Sequence, residues 1–190
     1  MYSFHMATFQ DDEAKGEPLD WTILRDGGIH LYWRSDILAE DVGWLESNEY
    51  RVIAFDAAEW QSESEWESER RMHAAFKTQL SFPEYYGNNM NALDECIQDD
   101  LVVPDSGGLA LVLKHYDHIE KPAPASAADG LSNSGLLLHI LARAVRYHML
   151  FGRRLLILVQ SDDPTMAFGR LGGIAVSWNP REWLNNKRGV

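Results

Sequence analysis

Between Thr78 and Leu113 the chain contains no Lys, Arg or His, yet it carries Glu84, Asp94, Glu95, Asp99, Asp100 and Asp105. Among these acids stand Tyr85, Tyr86, Asn88, Asn89 and Asn91. Carboxylates and amides grouped in this way suit the recognition of Arg, Lys and His side chains on a partner, through charge-assisted hydrogen bonds in a negative local field. The tyrosines add large contact groups that combine an apolar ring with a hydroxyl.

Two further groups bear chemistry. His115-Tyr-Asp-His118 presents histidines three apart, which can share a metal only if the backbone turns suitably, and the sequence indicates no other ligand nearby. Gln160-Ser-Asp-Asp-Pro164 follows an apolar run and places Asp162 and Asp163 where open parallel sheets often bind ligands, although a polar turn before a proline explains it more simply. The sequence has no Gly-rich phosphate loop, no Ser or Cys nucleophile signature and no paired-histidine zinc helix. No catalytic residue, metal or cofactor is expected.

The acidic stretch needs elements to hold it. Pro83 ends a preceding helix, Gly87 permits a tight turn, and Asn88 or Asn89 caps a new helix reaching about Asp100. At 100° per residue, Met90, Leu93, Cys96 and Ile97 fall on one side of that helix and Asn91, Asp94, Glu95 and Gln98 on the other. The first side is expected in the core and the second at the surface.

The string Phe82-Pro-Glu-Tyr-Tyr-Gly-Asn-Asn-Met-Asn-Ala-Leu-Asp-Glu-Cys96 resembles the central segment of the barstar family of ribonuclease inhibitors. It keeps the Pro-Glu-Tyr-Tyr-Gly run, the Asn two residues after the glycine, an Ala-Leu pair and an acidic residue before Cys, without a gap. The likeness covers roughly residues 50 to 160 and is strongest at 82 to 97. It implies a compact parallel sheet with helices around it, and an intracellular inhibitor whose acidic loop and helix plug the active site of a basic, barnase-like ribonuclease in place of RNA phosphates. By position the resemblance assigns partner contacts to Tyr85, Gly87, Asn89, Asn91, Asp94 and Glu95. Asn91 stands where the family prototype has an aspartate, Asp94 where it has a tryptophan, and Glu95 is one methylene longer than the aspartate it replaces. Near Tyr147, where the prototype supplies another acid, this chain has Tyr-His. A charge pattern altered in this way can be tuned to another ribonuclease, because specificity is a difference between partners.

The remaining elements fit an α/β fold, a small mostly parallel sheet with flanking helices, carrying an N-terminal hairpin and helix and a C-terminal strand as additions. Trp21–Leu24 and Ile29–Trp33 read as strands around the Gly27-Gly28 turn, and Ser35 as the cap of a helix through about Ser47. Tyr50–Phe55, Gly107–Leu113 and Arg153–Val159 read as buried strands. Ser62–Leu80 reads as a helix with Trp66, Met72, Phe76 and Leu80 at helical spacing, and Leu136–Phe151 as a helix ended by Gly152. Pro122–Asn133 is a loop, Ile174–Trp178 an added strand and Asn179–Leu184 a short helix, with Trp178 and Trp183 as packing groups. Residues 1–19 are expected to be partly disordered, and 20–190 to form one domain.

With 190 residues, of which 45% are hydrophobic, the chain can bury a substantial core. A net charge of −12 disfavours direct binding to nucleic acid or an anionic membrane and favours a basic protein. A single cysteine, Cys96, excludes an intramolecular disulfide, and no apolar run is long enough to span a bilayer. The N-terminus lacks the form of a secretory signal, so a cytoplasmic protein is expected. Two other readings remain open: a non-inhibitory interaction module on the same fold, and a small enzyme acting at the Asp162-Asp163 strand edge.

Overall fold

The computed structural model describes residues 17–119 and 132–183. Five strands form one sheet in the order β2-β3-β4-β1-β7: β1 (Ile29–Tyr32), β2 (Tyr50–Asp56), β3 (Gly108–Lys114), β4 (Leu155–Gln160) and β7 (Ser177–Trp178). Every pairing in this sheet is parallel. The helices are α1 (Leu19–Arg25), α2 (Ser35–Ser47), α3 (Glu65–Gln79), α4 (Met90–Asp99) and α5 (Asn133–Leu150).

The sheet divides the core in two, because successive side chains of a strand point to opposite faces. Leu109, Leu111 and Leu113 of β3, with Leu155, Ile157 and Val159 of β4, pack among residues of α3, α4 and α5. Their alternates, Ala110, Val112, Leu156 and Leu158, meet Ile23 of α1 and Ile37, Leu38 and Leu45 of α2. β3 and β4 therefore read as continuous apolar runs. Among the described residues β2 pairs only with β3 and lies at the edge, so Arg51 and Ala54 are exposed, in contrast to the buried strand predicted.

The expected N-terminal hairpin is not formed. Trp21–Leu24 belongs to α1, and β1 pairs in parallel with β4 and β7 rather than folding back on a preceding strand. The aromatic and β-branched residues that suggested a strand instead bury Ile23 against the sheet, while Asp20 accepts hydrogen bonds from the Tyr50 hydroxyl at 2.8 Å and from Arg154 at 3.0 Å. Gly27 and Gly28, with φ of 104° and 82°, turn this helix into β1. A Cβ on Gly28 would lie 2.3 Å from Cγ1 of Val145, so only glycine fits under α5.

At the other end, Ile174–Trp178 is broken into two pieces. Ile174–Ala175 (β6) pairs antiparallel with Arg170–Leu171 (β5), and β7 joins β1. Asn179 to Trp183 forms a hydrogen-bonded turn instead of the predicted helix, through Asn179 O with the amides of Glu182 and Trp183. Trp183 is exposed and not a packing residue. Trp66 is likewise 69% exposed, because the first turn of α3 extends beyond the core that Met72 and Phe76 enter. The irregular segments expected at the N-terminus and over Pro122–Asn133 lie almost wholly outside the described residues; where described, Leu19 already begins α1 and Ser132 caps α5.

Candidate functional site

The acidic segment occupies the loop between α3 and α4 and the outer side of α4. α3 ends at Gln79, with Ser81 at φ 57° and the Phe82 amide returning to Lys77 O at 3.0 Å. The chain then turns through Pro83 to Tyr86, whose amide donates to Pro83 O at 3.1 Å. Asn88 adopts the left-handed conformation, at φ 49°, that asparagine tolerates. Gly87 serves by its size: a Cβ there would stand 3.0 Å from the Asn89 side-chain amide.

Asn89 is the N-cap of α4. Its Oδ1 accepts the Ala92 amide at 3.0 Å while its Nδ2 donates to Gly87 O at 3.1 Å, so one side chain fastens the helix to the loop. Leu93, Cys96 and Ile97 are fully buried beneath, and Asn91 and Glu95 are exposed above, as the periodicity predicts. Burial, with Asp100 beside it, pushes the Cys96 thiol up to about 11, consistent with an unreactive core residue.

The two tyrosines have opposite roles. Tyr85 is 68% exposed, and its hydroxyl donates to Asp100 at 2.6 Å, a hydrogen bond that pushes its pKa up to about 12. Tyr86 is buried, its hydroxyl 2.5 Å from Nδ1 of His73 on α3 and its ring tilted against Phe82, so it anchors the loop rather than contacting a partner.

Asp94 is half-buried and ion-paired with Arg143 of α5 at 2.8 Å, and it also accepts from Gln98 at 2.9 Å. Tyr147 donates to Asp99 at 3.1 Å. The residues singled out by sequence thus lie on one continuous loop and helix, but only some are open to solvent. Tyr85, Gly87, Asn89, Asn91 and Glu95 are exposed, while Asp94 has a cation the local sequence did not reveal, because Arg143 arrives from a distant helix.

A second cluster gathers where the strands end. His115 follows β3 and places Nδ1 2.8 Å from Asp56 at the end of β2 and Nε2 4.0 Å from Asp162 after β4. Asp117, His118 and Asp162 present ligand atoms all within 4.8 Å of one another. Asp163, which sequence paired with Asp162, instead accepts from the Thr165 amide and hydroxyl in the following turn. Asp117 lies between the two histidines in the sequence; parallel pairing of β2, β3 and β4 brings Asp56 and Asp162 to them. An open groove of ≈ 690 Å³, lined by Trp60, Gln61, Glu65, Met72, Met90 and His118 among others, passes beside this cluster to the start of α4.

Residues 62–133 match the family model described as Barstar (barnase inhibitor). The matched segment is less than half of the chain and contains α3, the acidic loop, α4 and β3. It supports a barstar-like family assignment, and the parallel sheet flanked by helices is consistent with a barstar-like fold. No curated protein matches the chain closely enough to name as a relative. Among the described residues no helix is long and apolar enough to cross a membrane.

Proposed function

We propose that this protein binds a basic, barnase-like ribonuclease and blocks its active site with the surface formed by Tyr85, Gly87, Asn89, Asn91, Asp94 and Glu95. The observation that carries the reading is the capped α4, whose exposed acid and amide side chains follow an exposed Tyr85 within the segment matched by the barnase-inhibitor family. Such a face is suited to the Arg, Lys and His groups with which a ribonuclease holds RNA phosphate. The backbone is held by the Asn89 cap and the Tyr86–His73 contact, so little ordering accompanies docking. The protein acts in the cytoplasm as one domain over residues 20–190, needs no cofactor and does no chemistry on RNA itself.

The test is a titration against a panel of secreted bacterial ribonucleases at several salt concentrations, scored together with RNA cleavage. Tight, salt-sensitive binding with loss of cleavage is expected. Binding without loss of cleavage would replace inhibition with a non-inhibitory interaction module. Absence of binding at low salt would overturn both.

A further inference from the structure

We propose that the C-terminal edge of the sheet holds a divalent transition-metal ion, ligated by Asp117, His118 and Asp162, with His115, held by Asp56, beside it. This site is separate from the α4 face, and nothing in the inhibitor reading requires it.

The two acids and the neighbouring His115 are already placed by contacts within the cluster. His115 is oriented by Asp56: the Nδ1 to Oδ1 separation of 2.8 Å is a hydrogen bond in which the ring donates, leaving the Nε2 lone pair facing Asp162. A carboxylate held to an imidazole in this way fixes its tautomer and raises the basicity of the free nitrogen. Asp162 accepts from the Gln160 side chain through Oδ1 at 2.9 Å, so Oδ2 is the atom turned to His115, at 4.0 Å. That separation is too long for a hydrogen bond. Asp117 accepts the Asp162 amide through Oδ1 at 2.9 Å, which ties the turn after β3 to the turn after β4.

One imidazole with two carboxylates forms a mixed nitrogen and oxygen donor set. Imidazole favours Zn²⁺, Co²⁺, Ni²⁺ or Fe²⁺ over Mg²⁺ and Ca²⁺, which prefer oxygen alone. The ion would lie where parallel strands from β2 to β4 converge, the edge at which open α/β sheets bind ligands. His118 also lines the groove, so the ion can be reached from solvent.

The experiment uses the full chain, freed of metal by chelation and dialysis, and titrates Co²⁺ while following its visible absorption, with Zn²⁺ as competitor. One saturable equivalent is expected, with Zn²⁺ displacing Co²⁺. His118→Ala and Asp162→Asn should each weaken Co²⁺ binding more than tenfold. Asp105→Asn, on an exposed loop outside the cluster, should bind as the unaltered chain does. Circular dichroism identifies any variant that fails to fold; Asp162→Asn, which keeps the size and one acceptor of the side chain, then decides. Absence of saturable binding by Co²⁺ and Zn²⁺, or undiminished binding in the folded variants, would overturn the site. Ribonuclease binding by the same preparations without metal is read separately, so loss of one proposal leaves the other intact.

Discussion

The Arg143 guanidinium of α5 stands 2.8 Å from the Asp94 carboxylate of α4, in the middle of the face proposed to meet a cation-rich partner. An acid paired inside its own chain contributes less to the outer field than its sequence suggests. Arg143→Gln is therefore expected to speed association with a basic ribonuclease and make it more salt-dependent, as judged by stopped-flow mixing at two ionic strengths. Because both side chains reach solvent, the pair stabilises the fold by only about 0–1 kcal/mol, and the unfolding midpoint should barely move. An association rate that is unchanged or slower would remove Asp94 from the contact surface.

Glu95 presents the opposite case. It is exposed, and among the described residues no cation is ion-paired with it. Glu95→Lys should slow association and weaken binding while leaving thermal stability nearly unchanged, since it replaces one exposed helix former by another. Affinity equal to that of the unaltered chain would exclude this part of α4 from the interface.

Asn89→Ala tests whether loop geometry matters separately from charge. It removes the acceptor for Ala92 and the donor to Gly87, with a stability cost of about 1 kcal/mol measured by urea unfolding. Binding should weaken beyond what a lost contact at residue 89 produces, because Tyr85 and Asn91 lose their fixed relation. Full retention of affinity would show that the loop finds its shape without the cap.

The sequence made the site's backbone legible because local chemistry determines it. Asn89 caps, Leu93, Cys96 and Ile97 enter the core, and the intervening residues face outward, all within one short helix. The side-chain environment was less legible. Neither Arg143 beside Asp94 nor Asp56 beside His115 follows from local spacing, because each pair is joined by packing or strand pairing between distant segments. The same limit explains Trp21–Leu24: a short window rich in β-branched and aromatic residues fits helix or strand, and burial of Ile23 together with the bonds to Asp20 decides for helix. Tyr85 and Tyr86 are adjacent and identical in type, yet the turn from Pro83 exposes one and buries the other.

Buried histidines predict an acid sensitivity. Burial lowers the pKa of His30, His73 and His148 below the ordinary 6.5. Among the described residues each lacks a hydrogen-bond partner at one ring nitrogen: Nδ1 of His30, Nε2 of His73, which stands 3.6 Å from Glu69, and Nδ1 of His148. The unfolded chain therefore binds protons before the folded one does. Their contribution to stability is full above pH about 6.5, declines as pH falls below it, and stops declining once pH passes the lowered folded values. His148→Gln, which can still donate to Ile97 O, should flatten the thermal-stability profile between pH 7.5 and 5 relative to the unaltered chain. Parallel profiles would show that His148 titrates alike in both states.

Glu182 shows how the last described turn supports the sheet edge. It is fully buried, and its carboxylate accepts the Trp33 and Arg34 amides at 3.2 and 2.9 Å, where β1 gives way to α2. This explains why α2 starts without a side-chain cap from its own sequence. Asn179 adds an amide contact to Glu182 and hydrogen bonds to Leu31 O, so the turn fastens the C-terminal end of β1. Glu182→Ala would leave these donors without that carboxylate, at a cost of about 1–3 kcal/mol for each one left buried and unpaired. Urea unfolding should record the loss, and amide exchange should quicken at Trp33 and Arg34 while α4 stays protected. Equal loss of protection in α4 would mean that the edge and the candidate binding face unfold as one cooperative unit.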